Sequence, residues 1–231
     1  MINSVRNTVM AVVNKNNFGY ITPSDFNLYA KQAQLDIFED YFYRYNTWVS
    51  KRNNRTAGTG YSDIAKNLEE VIDTFSIVGD LTLDAGSTFI LPANYYLLNT
   101  VRHLGATEVE RVSNNKALNL LSSNLTAPST MYPCYVMNEN KVTVYPDTIV
   151  ADVSSQYIRV PLDPKWSYAT LTGGEPLFDQ SAADYQDFEL PKTDEYAIVD
   201  RILQYVGVSL RDRELVQHAA SQELTETQQE G

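Results

Sequence analysis

A chain of 231 residues, 43% hydrophobic and 20% charged, holds enough apolar material for a sizeable core in one elaborated domain or two small ones. Its 29 acidic residues against 18 basic leave a net charge of −11, which opposes attraction to nucleic acid, since that binding draws on clustered Lys and Arg. A single cysteine, Cys134, excludes an internal disulfide framework, and the short apolar runs predict neither a membrane span nor a signal peptide, so the chain reads as soluble and made in a reducing cytoplasm.

Taken in order, Val5, Val9, Val12 and Val13 predict a first helix over 4–15, ended by Asn14, Asn16 and Asn17. The second helix carries the clearest start signal: Thr22 as cap, Pro23 at the first helical position and Asp25 where a capping box wants an acid. Phe26, Ala30, Ala33, Ile37, Tyr41 and Trp48 then recur at helical spacing, and Tyr29, Phe38, Phe42, Tyr45 and Val49 widen the stripe. A helix so broadly apolar needs cover on more than one side, from a bundle or from a neighbouring subunit. Residues 51–60 read as a polar loop, and 62–74 as a third helix with Leu68, Val71, Ile72 and Phe75 on one face.

After Phe75 the period changes to two. Strands are expected around Leu81 and Leu83, over 87–91, 95–103 and 108–112, with a helical turn or two over 115–121. A hairpin follows, Tyr135–Met137 and Val142–Tyr145 about a turn at Asn138–Asn140, and 156–160 supplies one more strand. The expected class is α+β: an N-terminal helical bundle over 1–75, an inserted antiparallel β-region over 76–160, and C-terminal helices over 193–231 that form a docking arm.

The stretch 161–192 has no sustained period, and with Gly173, Gly174 and four prolines it reads as an extended loop. It is too apolar for a disordered linker, however, carrying Trp166, Tyr168, Leu177, Phe178, Tyr185 and Phe188. These side chains need a surface, and a neighbouring subunit would provide one. Trp166, Phe178 and Tyr185 are therefore candidate interface residues. Beyond it, Ile198, Ile202, Leu203 and Val206 predict a helix stopped by Gly207, and Ser209 a second that carries Leu215, Val216 and Ala219 as the candidate docking stripe.

No catalytic constellation emerges. His103 and His218 lie far apart, and no H-x-x-x-H or C-x-x-C spacing of a zinc site exists, so neither a metal nor another cofactor is expected. Cys134, between Pro133 and Tyr135 in a strand-like run, reads as a small buried hydrophobe rather than a nucleophile. Gly58 and Gly60 lack the strand and third glycine of a dinucleotide loop, and no phosphate-cradling G-x-x-x-x-G-K motif is present. Asp36, Glu39 and Asp40 read as a solvated helix face. The chain is not expected to be an enzyme.

With these residues laid out, the order of elements resembles that of head-to-tail adaptor proteins of short-tailed bacteriophages, most of all the ring proteins of crAss-like phages. The second-helix run Phe26–Phe38, the link Phe89–Tyr95, and Asp187–Pro191 followed by a helix, Gly207 and an arm from Ser209 carry the likeness. The resemblance implies a structural virion subunit at the head–tail junction, assembled in the cytoplasm of a bacterial host. It would be repeated around the portal axis, commonly as a dodecamer, and continue the channel through which DNA passes without specific binding. Its implied partners are further copies of itself, the portal protein, and adjacent tail-ring or tail proteins, with no membrane. Other expectations are a tail or capsid accessory protein, or a monomeric interaction module.

Overall fold

The computed structural model describes residues 1–14, 21–53 and 63–210, with side chains at 1–14, 21–47 and 68–207. Three helices come first: α1 (Ile2–Asn14), α2 (Pro23–Asn53) and α3 (Asp63–Thr74). Five strands follow, β1 (Ser76–Asp80), β2 (Thr82–Ala85), β3 (Thr88–Ile90), β4 (Tyr95–His103) and β5 (Thr107–Arg111). Helix α4 (Asn114–Leu121) leads to β6 (Cys134–Asn138), β7 (Lys141–Tyr145) and β8 (Val153–Arg159). The short strands β9 (Tyr168–Thr170) and β10 (Pro176–Phe178), one turn of 3₁₀ helix and α5 (Glu195–Leu210) complete the α+β fold. The chain forms two compact units, one of residues 1–71 with 161–231 and the other of residues 72–160. The β-region is thus an insertion, and both the 161–192 stretch and α5 are grouped with the N-terminal helices.

In the helical unit, α1 buries Ile2, Val5, Val9 and Val13, one side chain per turn. The start of α2 is built as its sequence demands. Thr22 Oγ1 accepts from the Asp25 amide at 3.1 Å and donates to the Asp25 carboxylate at 2.6 Å. Pro23 sits where a helix has no use for an N–H. Phe26, Ala30, Ala33, Ile37 and Phe38 are buried, but between Glu39 and Thr47 no residue of α2 is. The inner stripe therefore stops at Phe38, with Tyr41 half-buried and Trp48 beyond the described side chains. Helix α5 packs on both α1 and α2, and it buries Ile198, Ile202 and Val206. The Tyr29 and Tyr205 rings stack at 6.3 Å, the Tyr205 hydroxyl donates to Asp36, and the Tyr41 hydroxyl donates to Asp194.

The expected stop at Gly207 and restart at Ser209 are corrected, because α5 continues through both to Leu210. A glycine ends a helix by adopting a left-handed φ, and Gly207 instead stays helical and buried. The docking stripe Leu215, Val216 and Ala219 lies outside the described residues.

The β unit holds an eight-stranded sheet in the order β1-β8-β4-β5-β6-β7-β3-β2. Its two end strands are neighbours in the chain, separated only by Leu81, whose N–H donates to the Val153 carbonyl at 2.8 Å. Residues 76–85 thus act as one bent strand, pairing with β8 in the first half and β3 in the second. Joined through Leu81, the end strands bring the two ends of the curled sheet together. An antiparallel β-region was expected, and every junction is antiparallel except β5–β6, which pair in parallel at Glu110↔Cys134 and Arg111↔Tyr135. The cause is α4, since a crossover element returns the chain in the direction it left. Inside the curl, Leu81, Phe89, Val101, Val109, Val142 and Val144 form the centre of the core. Leu98 and Val101 both face inward despite odd spacing, because the β4–β8 register shifts between Leu98 and Thr100.

Candidate functional site

Two surfaces stand out, one on each unit. The first is built from the 161–192 stretch, which is not an unstructured loop but a folded strap. Strands β9 and β10 pair antiparallel with Phe178 opposite Tyr168, and Lys165 bridges Gln186 further down. Polar side chains from the helices tie this strap down. Asn27 accepts from the Trp166 amide at 2.8 Å and donates to the Trp166 carbonyl at 3.3 Å. Gln34, 1% exposed, donates to the Leu162 carbonyl at 2.7 Å and accepts from the Glu189 amide at 3.1 Å. Asp187 accepts from the Ile2 amide at 2.7 Å and from the Met1 ammonium at 2.9 Å, satisfying the donors at the start of α1. Burial pushes the Asp187 carboxyl up, but the bonds from Met1, Ile2 and Phe188 outweigh it and hold the group below the ordinary carboxylate range.

The strap brings three of the candidate interface residues together. Trp166 and Phe178 stack at 5.8 Å, and Tyr185 meets Phe178 edge-on at 5.8 Å. Tyr168 stacks on Trp166 at 5.6 Å, and the Arg6 guanidinium lies 3.8 Å from the indole centroid. The Trp166 indole N–H donates to Asn3 at 3.1 Å. Trp166 is 1% exposed within the single chain, so the expectation that a neighbouring subunit covers it is corrected. Asn3, Arg6 and Asn27 supply the cover, an arrangement no local pattern announces. Phe178 and Tyr185 are half-buried, and Leu162, Tyr168, Leu171 and Leu177 are about half exposed. An apolar outer face therefore remains on the strap.

The second surface is the crossover between β5 and β6, where the expected helical turn or two is the eight-residue helix α4. Ser113 caps α4, accepting from the Lys116 amide at 3.4 Å. Ala117 and Leu120 face the sheet, packing with Val112, Cys134 and Val136. Leu118 and Leu121 of α4 are 66% and 44% exposed, and in the segment that follows Leu125 is 94%, Met131 70% and Tyr132 76% exposed. Two signals were available. Leu118, Leu121 and Leu125 follow helical spacing, and no charged side chain occurs from Ala117 to Asn138 in a chain of net charge −11.

Cys134 is buried in β6, and burial pushes its thiol up, with Glu110 adding to the effect and Lys116 opposing it, away from the thiolate a nucleophile needs. His103 sits on β4, two strands away and therefore roughly 10 Å or more distant. His218 lies outside the described residues. A cleft of about 360 Å³ at the start of α4 is lined by Arg111, Val112, Ser113, Asn114, Val136 and Met137, with Arg111 its one charged group. Among the described residues no three His, Cys, Asp or Glu gather as metal ligands, and no helix is long and apolar enough to cross a membrane. Comparison with protein-family models and with curated proteins returns no match to this chain.

Proposed function

We propose that the protein is a structural subunit of a phage head-to-tail connector, forming a ring below the portal that continues the DNA channel and attaches the tail. The observation that carries this reading is the presence of two exposed apolar surfaces of different make-up on one subunit. A ring is closed by heterologous contacts, in which one surface of a subunit meets a different surface of the next. The strap offers aromatic and aliphatic side chains among carboxylates, while the crossover is apolar and nearly uncharged. Exposed apolar groups at this density are costly on a solitary protein and mark sites of association. The resemblance of the α2, 89–95 and 187–191 runs to crAss-like phage ring proteins points the same way. A net charge of −11 suits a channel along which DNA slides without adhering.

Electron microscopy of the purified protein, alone and mixed with its portal, tests the reading. Rings are expected on the portal, and a chain that stays monomeric in the mixture refutes it. Deleting Leu210–Gly231 is expected to leave the far-UV circular dichroism of the folded units intact while abolishing attachment to the portal or adjacent ring. Normal attachment by the folded truncation removes the docking-arm part of the proposal.

A further inference from the structure

We infer that the outward face of the crossover, formed by Leu118, Leu121, Leu125, Met131 and Tyr132, is a contact between copies of this chain. The inference rests on the proposed reading of the protein as a self-assembling subunit, and it names which surface meets another copy.

Three observations select that occupant. Their fractional exposures amount to about three and a half whole side chains, on the order of 600–700 Å² at the size of large apolar residues. A standard protein–protein interface takes roughly 800 Å² from each partner, so these five side chains together expose an area of that order.

The second observation is charge. Copies of a −11 chain repel each other wherever acidic surface meets acidic surface. Between Lys116 and Glu139 the chain carries no ionisable charge, and Lys116 itself is paired with Glu110 at 2.8 Å. An identical, like-charged copy can therefore approach this face at the least electrostatic cost. A basic partner would find its complement on the acidic surfaces elsewhere.

The third is preorganisation. The segment after α4 is held by its own backbone: Thr126 N–H donates to Ser123 at 3.2 Å, and Ser129 and Tyr132 exchange bonds at 3.3 and 3.1 Å. The apolar groups are presented on an ordered turn, so contact loses less conformational entropy than ordering a loose loop.

Sedimentation velocity of the full chain at about 0.05 M and 0.5 M NaCl tests this, because salt screens repulsion between like-charged copies and leaves apolar contact intact. Self-association is expected, and it should strengthen at the higher salt. The double variant Leu118→Glu, Leu125→Glu changes only exposed positions and should weaken association at least about tenfold with an unchanged circular dichroism spectrum. If that variant fails to fold, Met131→Lys with Tyr132→Ser, outside α4, serves in its place. A folded variant that associates as tightly as the wild type overturns this contact and leaves the ring reading standing. Association that weakens with salt also overturns it, since a charge-driven surface elsewhere would then be responsible. A wild-type chain that stays monomeric at both salts yet rings on the portal overturns it in favour of a foreign partner for the crossover. Absence of rings in the portal mixture as well removes the reading beneath it.

Discussion

Trp166 is held by residues far away in the chain. Asn3 accepts from its indole N–H, Arg6 covers a ring face, Asn27 pairs with both of its backbone groups, and Phe178 and Tyr168 stack beside it. At 1% exposure its removal leaves a cavity and strips the Asn3 side-chain oxygen of the indole N–H it accepts. Trp166→Ala is expected to destabilise the helical unit by about 3–5 kcal/mol, read from urea unfolding monitored by circular dichroism. Phe178→Ala, at a half-buried site, should cost clearly less. Equal losses would show that the strap does not pack around the tryptophan as described. That this side chain would be buried was legible from its aromatic neighbours. Which surface buries it was not, because the covering groups are polar residues of α1 and α2 that follow no hydrophobic pattern.

At the scale of elements, α2 is joined to the C-terminal part of its unit by phenol–carboxylate bonds, Tyr205 to Asp36 and Tyr41 to Asp194. Burial first, and then the Asp36 carboxylate, push the Tyr205 hydroxyl up to about 12, and burial with Asp194 raises Tyr41 further still. A raised pKa stabilises the fold fully below the unfolded value, near 10, and that contribution is lost as pH climbs through the folded value. The melting temperature should therefore fall between about pH 10 and pH 12. Tyr205→Phe should lower it at neutral pH and flatten the alkaline decline. A variant that declines as steeply as the wild type would remove Tyr205 as its source. Helix limits were mostly legible, with Thr22, Pro23 and Asp25 marking the start of α2 to the residue. Gly207 misled because its buried position, a tertiary fact, keeps it helical. The β9–β10 hairpin was hidden because each strand has only three residues, too few for a period to show.

Across the molecule, the division into a split helical unit and an inserted β unit has a direct consequence. The curled sheet encloses its own core, so residues 72–160 expressed alone should give a β-type circular dichroism spectrum and one cooperative melt. A fragment that melts without cooperativity would show that the insertion depends on the rest of the chain. The α+β class, the order of the long elements, the inward faces of α1 and α5, and the hairpin of β6 and β7 were all legible in the residues. Those features follow from side-chain periodicity and from local capping and turn chemistry, which act over a few residues. Three features came from the folded chain alone: β1 and β2 join the two ends of the sheet, β5 and β6 run parallel, and the strap is fastened by Asn27, Gln34 and Asp187. Each of these depends on pairing between residues distant in the chain, and a backbone hydrogen bond or a packed face of that kind leaves no mark on the local pattern.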